Sequence, residues 1–332
     1  MIRDYNIADD AAIAMHKLAM GGTIFGDRFY VDYANGSDNF DGKAKNRPVK
    51  TLGHAYAIAN TNKNDVIFVQ GYSAVVETAY INWSKNRLHV VGDNGVPSFE
   101  GYGPGARISI GVTTATADIA IIKNTGVRNT FANLKFDSGN TLAQALYAFA
   151  EGGEYTRFLN CEFYKSTHLT SGAAGNLAAE VLCNGDSSQW YGCTFGDLVN
   201  ARGVGGACIR SNVIFARETI TGKVARDCSF VDCTFLVNAG DTGVAMCYIK
   251  NATDIERRLV FKRPLFINAH LAAQDPGEAI LIGAAQTQGK VLLIDPSTFD
   301  CTAHASASCG AYLTGGSAPV DSTTGLGAII DT

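Results

Sequence analysis

The spacing of apolar residues predicts a short helical segment at the N-terminus and strands over most of the remaining chain. Near the N-terminus, Ile7, Ala11, Met15 and Leu18 recur at helical spacing and form one apolar stripe. We therefore predict a helical segment within residues 1–26, acting as an anchor or a cap. Because an isolated amphipathic helix of this length is marginally stable in water, its stripe either covers the domain that follows or docks on a partner subunit.

A second, shorter helix is predicted further along the chain. Leu52, Ala55 and Ile58 are spaced so that they share one buried face, and Thr51 stands where an N-cap residue is favoured. The almost wholly apolar run at residues 66–70 then predicts a buried strand.

Beyond this strand, short apolar runs alternate with turns, too closely spaced for the helices of a βαβ fold. One pattern recurs: a polar or Gly residue, then Cys or another small residue, then Phe two positions later. Because residues two apart in a strand share a face, stacked repeats would place small residues in one interior column and Phe in another. The pattern ends at Phe136, Phe163, Phe195 and Phe235, with looser versions that end at Phe266 and Phe299.

This repeat predicts an all-β fold, a parallel β-solenoid in which each coil buries its inner face only against its neighbours. Asn suits the turns because it tolerates left-handed φ. The alternative is an antiparallel sandwich, which would need Asn-Gly or Asp-Gly hairpins at short, regular spacing. We predict a helical anchor or cap at residues 1–26, a β-helix at 27–310 and a Gly/Ser/Thr-rich tail at 311–332.

Composition and charge argue against a nucleic-acid partner and against a membrane span. The net charge is −4 and no block of Lys and Arg exists, so we expect no nucleic-acid partner. No run of eighteen apolar residues exists, so we expect no membrane span. The N-terminus lacks the basic start and the continuous apolar run of a signal peptide. The chain has nine cysteines, an odd number, so at least one is unpaired within the chain. We therefore expect buried free thiols and folding in a reducing compartment.

The stretch from Tyr30 to Leu52 carries acidic, Asn and Gly residues at the alternating spacing of a calcium loop. If Gly42 takes the sixth position of an EF-hand loop, Pro48 takes the twelfth, where a bidentate Glu is required. We therefore predict no cofactor and a turn held by its own side chains, with a calcium site at Asp38 and Asp41 as the alternative. The predicted turn and cap residues are Gly36, Asp38, Asp41, Gly42, Pro48 and Thr51.

The same stretch, with the strand after it, resembles the opening of single-stranded right-handed β-helix proteins of the pectate-lyase superfamily. The matching residues are Gly36-Ser37-Asp38, Asp41-Gly42, Pro48 and Thr51, whereas Asn64-Asp65 replaces the usual Gly-Asp. The resemblance implies a right-handed β-helix but not one function, because the fold hosts lyases, hydrolases, tailspikes and structural proteins. The segment before it resembles the layout of β-helix proteins of tailed bacteriophages, which are tailspikes or trimeric capsid decoration (cement) proteins.

The catalytic signatures of the enzymes in this superfamily are missing. The chain has no Asn-Thr-Asp, Gly-His-Gly, Arg-x-Lys or Trp-x-Asp-His element, so we predict no catalytic and no metal-ligating residue. A glycosidase would still need two carboxylates about 5–9.5 Å apart. We expect the acids to lie on solvated turns and the aromatics to pack, with a catalytic role as the alternative. The best candidates are Glu154 and Glu162 with Asp186 and Asp197, beside Trp190 and Tyr191 as a sugar platform.

These observations together predict a non-enzymatic virion structural protein, a trimeric capsid decoration protein that stabilises the phage head. Its expected partners are itself, as a homotrimer, and the major capsid protein. Its expected location is the capsid surface, after assembly in the host cytoplasm. The alternative is a tailspike or tail-fibre protein that binds host polysaccharide or depolymerises it as a glycoside hydrolase or lyase.

Overall fold

The computed structural model describes twelve stretches of the chain, at residues 26–71, 74–93, 106–110, 120–137, 146–164, 178–202, 211–217, 223–240, 243–269, 275–284, 287–305 and 312–314. Within these stretches the chain forms strands and one helix, α1 (Leu52–Ile58). No helix among them is long and apolar enough to cross a membrane. The predicted N-terminal helix, with Ile7, Ala11, Met15 and Leu18, lies outside the described residues.

The strands are short, between three and nine residues long. The first thirteen are β1 (Arg28–Val31), β2 (Asp65–Val69), β3 (Val75–Glu77), β4 (Ile81–Trp83), β5 (Leu88–Gly92), β6 (Ala106–Ile110), β7 (Ala120–Asn124), β8 (Thr130–Ala132), β9 (Leu134–Asp137), β10 (Tyr147–Glu151), β11 (Arg157–Leu159), β12 (Glu162–Tyr164) and β13 (Ala179–Cys183). The others are β14 (Gln189–Tyr191), β15 (Thr194–Arg202), β16 (Ser211–Phe215), β17 (Ala225–Val231), β18 (Thr234–Ala239), β19 (Cys247–Ile249), β20 (Ile255–Lys262), β21 (Leu265–Asn268), β22 (Glu278–Ile282), β23 (Gly289–Ile294), β24 (Ser297–Phe299), β25 (Ala303–Ala305) and β26 (Tyr312–Thr314).

These strands build three sheets in which every strand pair is parallel. Sheet I has the order β1-β2-β5-β8-β11-β14-β17-β20-β23-β26, sheet II has β3-β6-β9-β12-β15-β18-β21-β24, and sheet III has β4-β7-β10-β13-β16-β19-β22-β25. From β2 onward, successive strands join sheets I, II and III in turn, as β8, β9 and β10 do. The chain is therefore a right-handed parallel β-helix, as its sequence predicts. β26 extends sheet I into the range of the predicted tail.

One residue makes the turn from sheet I to sheet II, and it has left-handed φ in coil after coil. Its φ lies between +47° and +59°, a region that Asn, Asp and Gly enter at low cost. Asn and Asp dominate these positions, so the predicted role of Asn in the turns is confirmed. The residues are Asn133, Asn160, Gly192, Asp232, Arg263 and Asp295.

Two ladders of stacked aromatic rings fill the interior. Successive ring centroids lie 3.7 to 5.5 Å apart, close to the spacing of about 4.8 Å between paired strands. Stacking therefore follows directly from placing like residues at one position of each coil. Sheet I contributes Phe131, Phe158, Trp190, Phe230 and Phe261, and sheet II contributes Phe136, Phe163, Phe195, Phe235 and Phe266.

The predicted Phe column is confirmed for the first five repeats and is wrong for the sixth. Thr298, and not Phe299, pairs in register with Phe266. The last repeat has one more residue between its turn residue, Asp295, and its Phe. Because strand side chains alternate between faces, that extra residue turns Phe299 outward, where it is 44% exposed.

Cysteines form the predicted column of small residues. Cys161, Cys193 and Cys233 follow the turn residues of successive coils, and each is at most 1% exposed. All seven described cysteines are free and buried, which confirms the predicted thiols in this part of the chain. Burial raises the pKa of Cys161 well above its ordinary value, so it is a neutral thiol at physiological pH.

The helix α1 is capped from two directions. The Thr51 side chain accepts a hydrogen bond from His54 N at 3.1 Å, as predicted. Glu77, on β3, accepts from Leu52 N at 2.8 Å and from Gly53 N at 3.2 Å. Burial raises the pKa of Glu77 to about 7, although these two hydrogen bonds act in the opposite direction. The buried face of α1, formed by Leu52 and Ala55, packs beside the first strands.

Part of the outer face of sheet III is apolar and buried. Its outward positions carry Ala150, Leu182, Ile214 and Tyr248, which form a cluster separate from the interior core. A cavity lies over sheet I and the turns that lead into it.

Candidate functional site

The loop predicted to be a turn is held by its own carboxylates. Asp38 accepts hydrogen bonds from Lys50 N at 2.8 Å and Thr51 N at 3.0 Å through Oδ1, and from Thr51 Oγ1 at 3.0 Å through Oδ2. These contacts join the loop to the residue that caps α1. Asp32, which the sequence analysis did not single out, accepts from Ala34 N at 2.9 Å and Asn35 N at 3.1 Å.

The other predicted loop residues contribute backbone geometry. Gly42 has φ +65°, and a Cβ at Gly36 would lie 2.3 Å from backbone oxygens, closer than any side chain tolerates. Asp41 accepts from Lys43 N at 3.3 Å, and Pro48 is buried and accepts from Ser37 N through its carbonyl oxygen. In the described parts of the chain, no group of three or more His, Cys, Asp or Glu side chains could hold a metal ion.

Two of the four candidate acids lie together. Glu154 and Asp186 pair as a parallel bridge on neighbouring coils, in the turns that lead into sheet I. The Glu154 carboxylate lies 3.0 Å from Lys223 Nζ, and the Asp186 carboxylate lies 3.3 Å from Arg226. They line a cavity of about 240 Å³ whose charges are compensated within the protein.

The other two candidate acids lie elsewhere. Asp197 is 4% exposed and accepts from Val199 N at 2.9 Å. Glu162 is 2% exposed, and Lys135 Nζ from the preceding coil lies 3.2 Å from its Oε2. Burial raises the pKa of Glu162 to about 7, while Lys135 acts to lower it.

The expected packing of the aromatics is confirmed for Trp190, so the alternative sugar platform keeps only one of its two aromatics. Trp190 is 0% exposed and stacks between Phe158 at 3.7 Å and Phe230 at 5.5 Å, so no ligand in solvent reaches it. The sequence alone does not show that Trp190 is buried, because the register of its strand decides whether the side chain faces the interior or the solvent. Tyr191, the next residue, faces outward and is 38% exposed.

Two columns of side chains line a groove along sheet I, which we call the sheet I groove. One residue in each turn before sheet I has left-handed φ, and the residue two positions later faces outward from the strand. Together with Asn64 and Asn129, these residues line a cavity of about 430 Å³. From one coil to the next, the pairs are Arg87 and His89, Arg128 and Thr130, Tyr155 and Arg157, and Ser187 and Gln189.

The sheet I groove is cationic. Arg87, Arg128 and Arg157 are exposed, and none of the ten described residues that line the groove is acidic. Burial lowers the pKa of His89, so this ring is neutral at pH 7 and adds no charge. The Arg128 guanidinium lies 5.8 Å from the ring centroid of Tyr155, which is 54% exposed.

A buried polar network supports the turn beneath the groove. Asn129 Nδ2 donates to Asn124 Oδ1 at 3.1 Å, and Asn124 Nδ2 donates to Glu151 Oε2 at 2.7 Å. Glu151 also accepts from Gly153 N at 2.9 Å and Ser188 Oγ at 3.1 Å. Burial raises the pKa of Glu151 to about 7. No sequence pattern points to Glu151, because it ends an otherwise apolar strand run. None points to the groove either, because its arginines are isolated along the chain.

No protein-family model matches the chain, and no curated protein matches it. Solved structures do match. The pectate lyase Pel9A superposes with a TM-score of 0.56 and 14% identity, over 92% of this chain and 82% of that protein. A pectin methylesterase mutant in complex with a hexasaccharide superposes with a TM-score of 0.55 and 11% identity, over 92% of this chain and 91% of that protein.

ORF18 of Geobacillus virus E2 also matches, with a TM-score of 0.39 and 12% identity, over 93% of this chain and 63% of that protein. A score this low supports no inference about function. The likeness to the pectate lyase and the pectin methylesterase establishes the fold of the chain, a pectate-lyase-like β-helix. At these identities the likeness says nothing about activity.

Proposed function

We propose that the chain is a non-enzymatic structural protein of a phage virion, a decoration protein that binds the capsid surface as a trimer. The non-enzymatic part of the proposal rests on the ion pairs that the candidate acids make within the fold. Glu154 and Asp186 are each compensated by a cation, and Glu162 is buried against Lys135. Carboxylates committed in this way are poor candidates for the acid and the nucleophile of a glycosidase.

The architecture supports a mechanical role. Parallel pairing from coil to coil and two continuous aromatic ladders make the chain a stiff element, which is suited to bridging neighbouring capsid subunits. The apolar stripe of Ile7, Ala11, Met15 and Leu18 would supply the contact with a partner subunit or with the capsid protein. Such contacts gain strength from repetition by symmetry.

Two measurements test this proposal. Sedimentation equilibrium is expected to give three times the chain mass, and the protein is expected to co-sediment with capsid shells that lack it and to raise their melting temperature. A monomer that leaves the shells unchanged would contradict the proposal.

The alternative of polysaccharide cleavage is tested by the release of reducing ends from capsular and O-antigen polysaccharides. No release is expected above the level of a heat-denatured sample. Activity that Glu154→Gln or Asp186→Asn abolishes, with folding retained, would establish an enzyme instead.

A further inference from the structure

The turns that lead into sheet I stack one left-handed residue on another, and in two successive turns that residue is an arginine. Arg87 N donates a hydrogen bond to Val127 O, and Arg128 N donates to Glu154 O, so Arg87 and Arg128 occupy the same position on neighbouring coils. Neighbouring coils are about 4.8 Å apart. Two positively charged side chains therefore start from adjacent positions of one column.

Two left-handed residues on later coils of sheet I have opposite charges instead. They are Asp227 and Arg257, and the Arg257 guanidinium lies 3.1 Å from the Asp227 carboxylate. Opposite charges on neighbouring strands stabilise a sheet, whereas like charges at such positions destabilise it. In the described part of the chain, no carboxylate pairs with Arg87, Arg128 or Arg157. The stacked arginines therefore cost free energy that an anion from outside the chain would offset.

Two arginines on adjacent coils suit a phosphate better than a carboxylate. A carboxylate has two oxygens, and one guanidinium can engage both of them through parallel hydrogen bonds. A phosphate ester has a charge of about −1.5 to −2 at pH 7 and three acceptor oxygens, so it can bind two guanidiniums at once. We propose that the sheet I groove binds a phosphate group, held between the side chains of Arg87 and Arg128.

The rest of the groove has room for the molecule that carries the phosphate. Its volume of about 430 Å³ is within the range of small-molecule sites. Arg157, one coil beyond Arg128, would bind the second phosphate of a diphosphate ester. The ring of Tyr155 is 54% exposed in the same groove and offers a flat apolar surface to an organic group. A small diphosphate ester and free phosphate are therefore the two possible sources of the group.

The surroundings of the groove disfavour a nucleic acid. Glu154 and Asp186 line the neighbouring cavity, and they directly precede Tyr155 and Ser187, which line the groove. The whole chain carries a net charge of −4. Nucleic-acid binding gains affinity from many phosphate contacts, whereas the described lining of the groove supplies three arginines.

Isothermal titration calorimetry on the unaltered protein tests the ligand class. The titrants are inorganic phosphate, ADP, adenosine, glutarate and a single-stranded DNA oligonucleotide, at low and high NaCl. We expect phosphate and ADP to bind, adenosine and glutarate to bind at least about tenfold more weakly than ADP, and the binding of ADP to weaken as NaCl rises. ADP that binds at least about tenfold more tightly than phosphate identifies the diphosphate ester as the source, and equal affinities identify free phosphate.

Variants then locate the site. Arg128→Gln should weaken the binding of ADP about tenfold, and the double variant Arg87→Gln with Arg128→Gln at least about thirtyfold. Arg258→Gln is the matched control, because it removes the same charge from sheet I outside the groove and should change binding less than about twofold. Without ligand, Arg128→Gln should melt no lower than the unaltered protein, because it removes the repulsion from Arg87. Phosphate should raise the melting temperature of the unaltered protein but not that of the double variant.

Four results would overturn the proposal: binding of adenosine or glutarate as tight as that of ADP, tighter binding of the oligonucleotide than of ADP, unchanged binding in the double variant, or a lower melting temperature of ligand-free Arg128→Gln. The comparison of titrants on the unaltered protein does not depend on any variant. The proposal does not depend on whether the chain decorates a capsid.

Discussion

The buried ion pair between Lys135 and Glu162 gives a sharp prediction about stability. Lys135 is 1% exposed and Glu162 is 2% exposed, and they join sheet II of neighbouring coils at 3.2 Å. The substitution Lys135→Met keeps the length and apolar stem of the side chain but removes the charge. Glu162 would then be a buried carboxylate without its cation.

The expected cost of Lys135→Met at pH 8 is about 3–5 kcal/mol, the usual penalty for removing one partner of a buried pair. Replacing both residues, as Lys135→Met with Glu162→Leu, should cost little or even stabilise, because no buried charge remains. The surface variant Lys262→Met is the matched control, and we expect it to change stability by less than about 0.5 kcal/mol.

The cost should depend on pH with a defined sign. The pKa of Glu162 in the folded protein is raised to about 7, mainly by burial. A carboxyl group with a raised pKa contributes stability that is fully present below its ordinary pKa of about 4.5 and is lost as pH rises through about 7. Without Lys135 the pKa rises further, so the loss of stability continues above pH 7. The difference between Lys135→Met and the unaltered protein should therefore shrink at pH 5 and grow by pH 8.

Equilibrium urea unfolding, followed by tryptophan fluorescence, measures these differences. Both tryptophans of the chain, Trp83 and Trp190, are fully buried, so their emission reports unfolding of the core. Coinciding unfolding and refolding curves are needed before free energies are compared. The reasoning is refuted if Lys135→Met costs less than about 1 kcal/mol at pH 8. It also fails if the double variant is as unstable as the single one, or if the cost is the same at pH 5 and pH 8.

Three further predictions concern the loop, the thiols and the N-terminal segment. Asp38→Ala should lower the free energy of unfolding in urea by about 2–3 kcal/mol, since it removes three hydrogen bonds at the start of α1. Calcium should not change the melting temperature, and a calcium-dependent rise would support the alternative of a metal site. At most two of the nine cysteines should react with Ellman's reagent before unfolding and all nine after it, because seven are buried, and fast reaction of three or more would contradict this. Deleting residues 1–20 should preserve the β-sheet circular dichroism spectrum but abolish trimers and capsid binding, and a truncated protein that still trimerises and decorates shells would refute the docking role.

Local features of this protein could be predicted from sequence because they depend on neighbouring residues. The Phe and Cys pattern has the period of a strand, and Asn and Asp suit the left-handed turn that follows sheet I. Thr51 caps α1 because an N-cap acts on an N–H only three residues away. These short-range rules were enough to predict a parallel β-helix.

The tertiary structure alone decided which distant residues meet. Coils differ in length, so the partner of Glu162 follows only from the hydrogen-bonded register that sets Lys135 beside it. Register also decides that Trp190 faces the interior and Phe299 the solvent, since a shift of one residue moves a side chain to the other face of its strand. Stacking likewise brings Arg87, Arg128 and Arg157 into one groove although no basic run joins them. In a solenoid, charged residues that are far apart in the sequence stack on one another along the coil axis. Their proximity is therefore visible only once the coils are stacked.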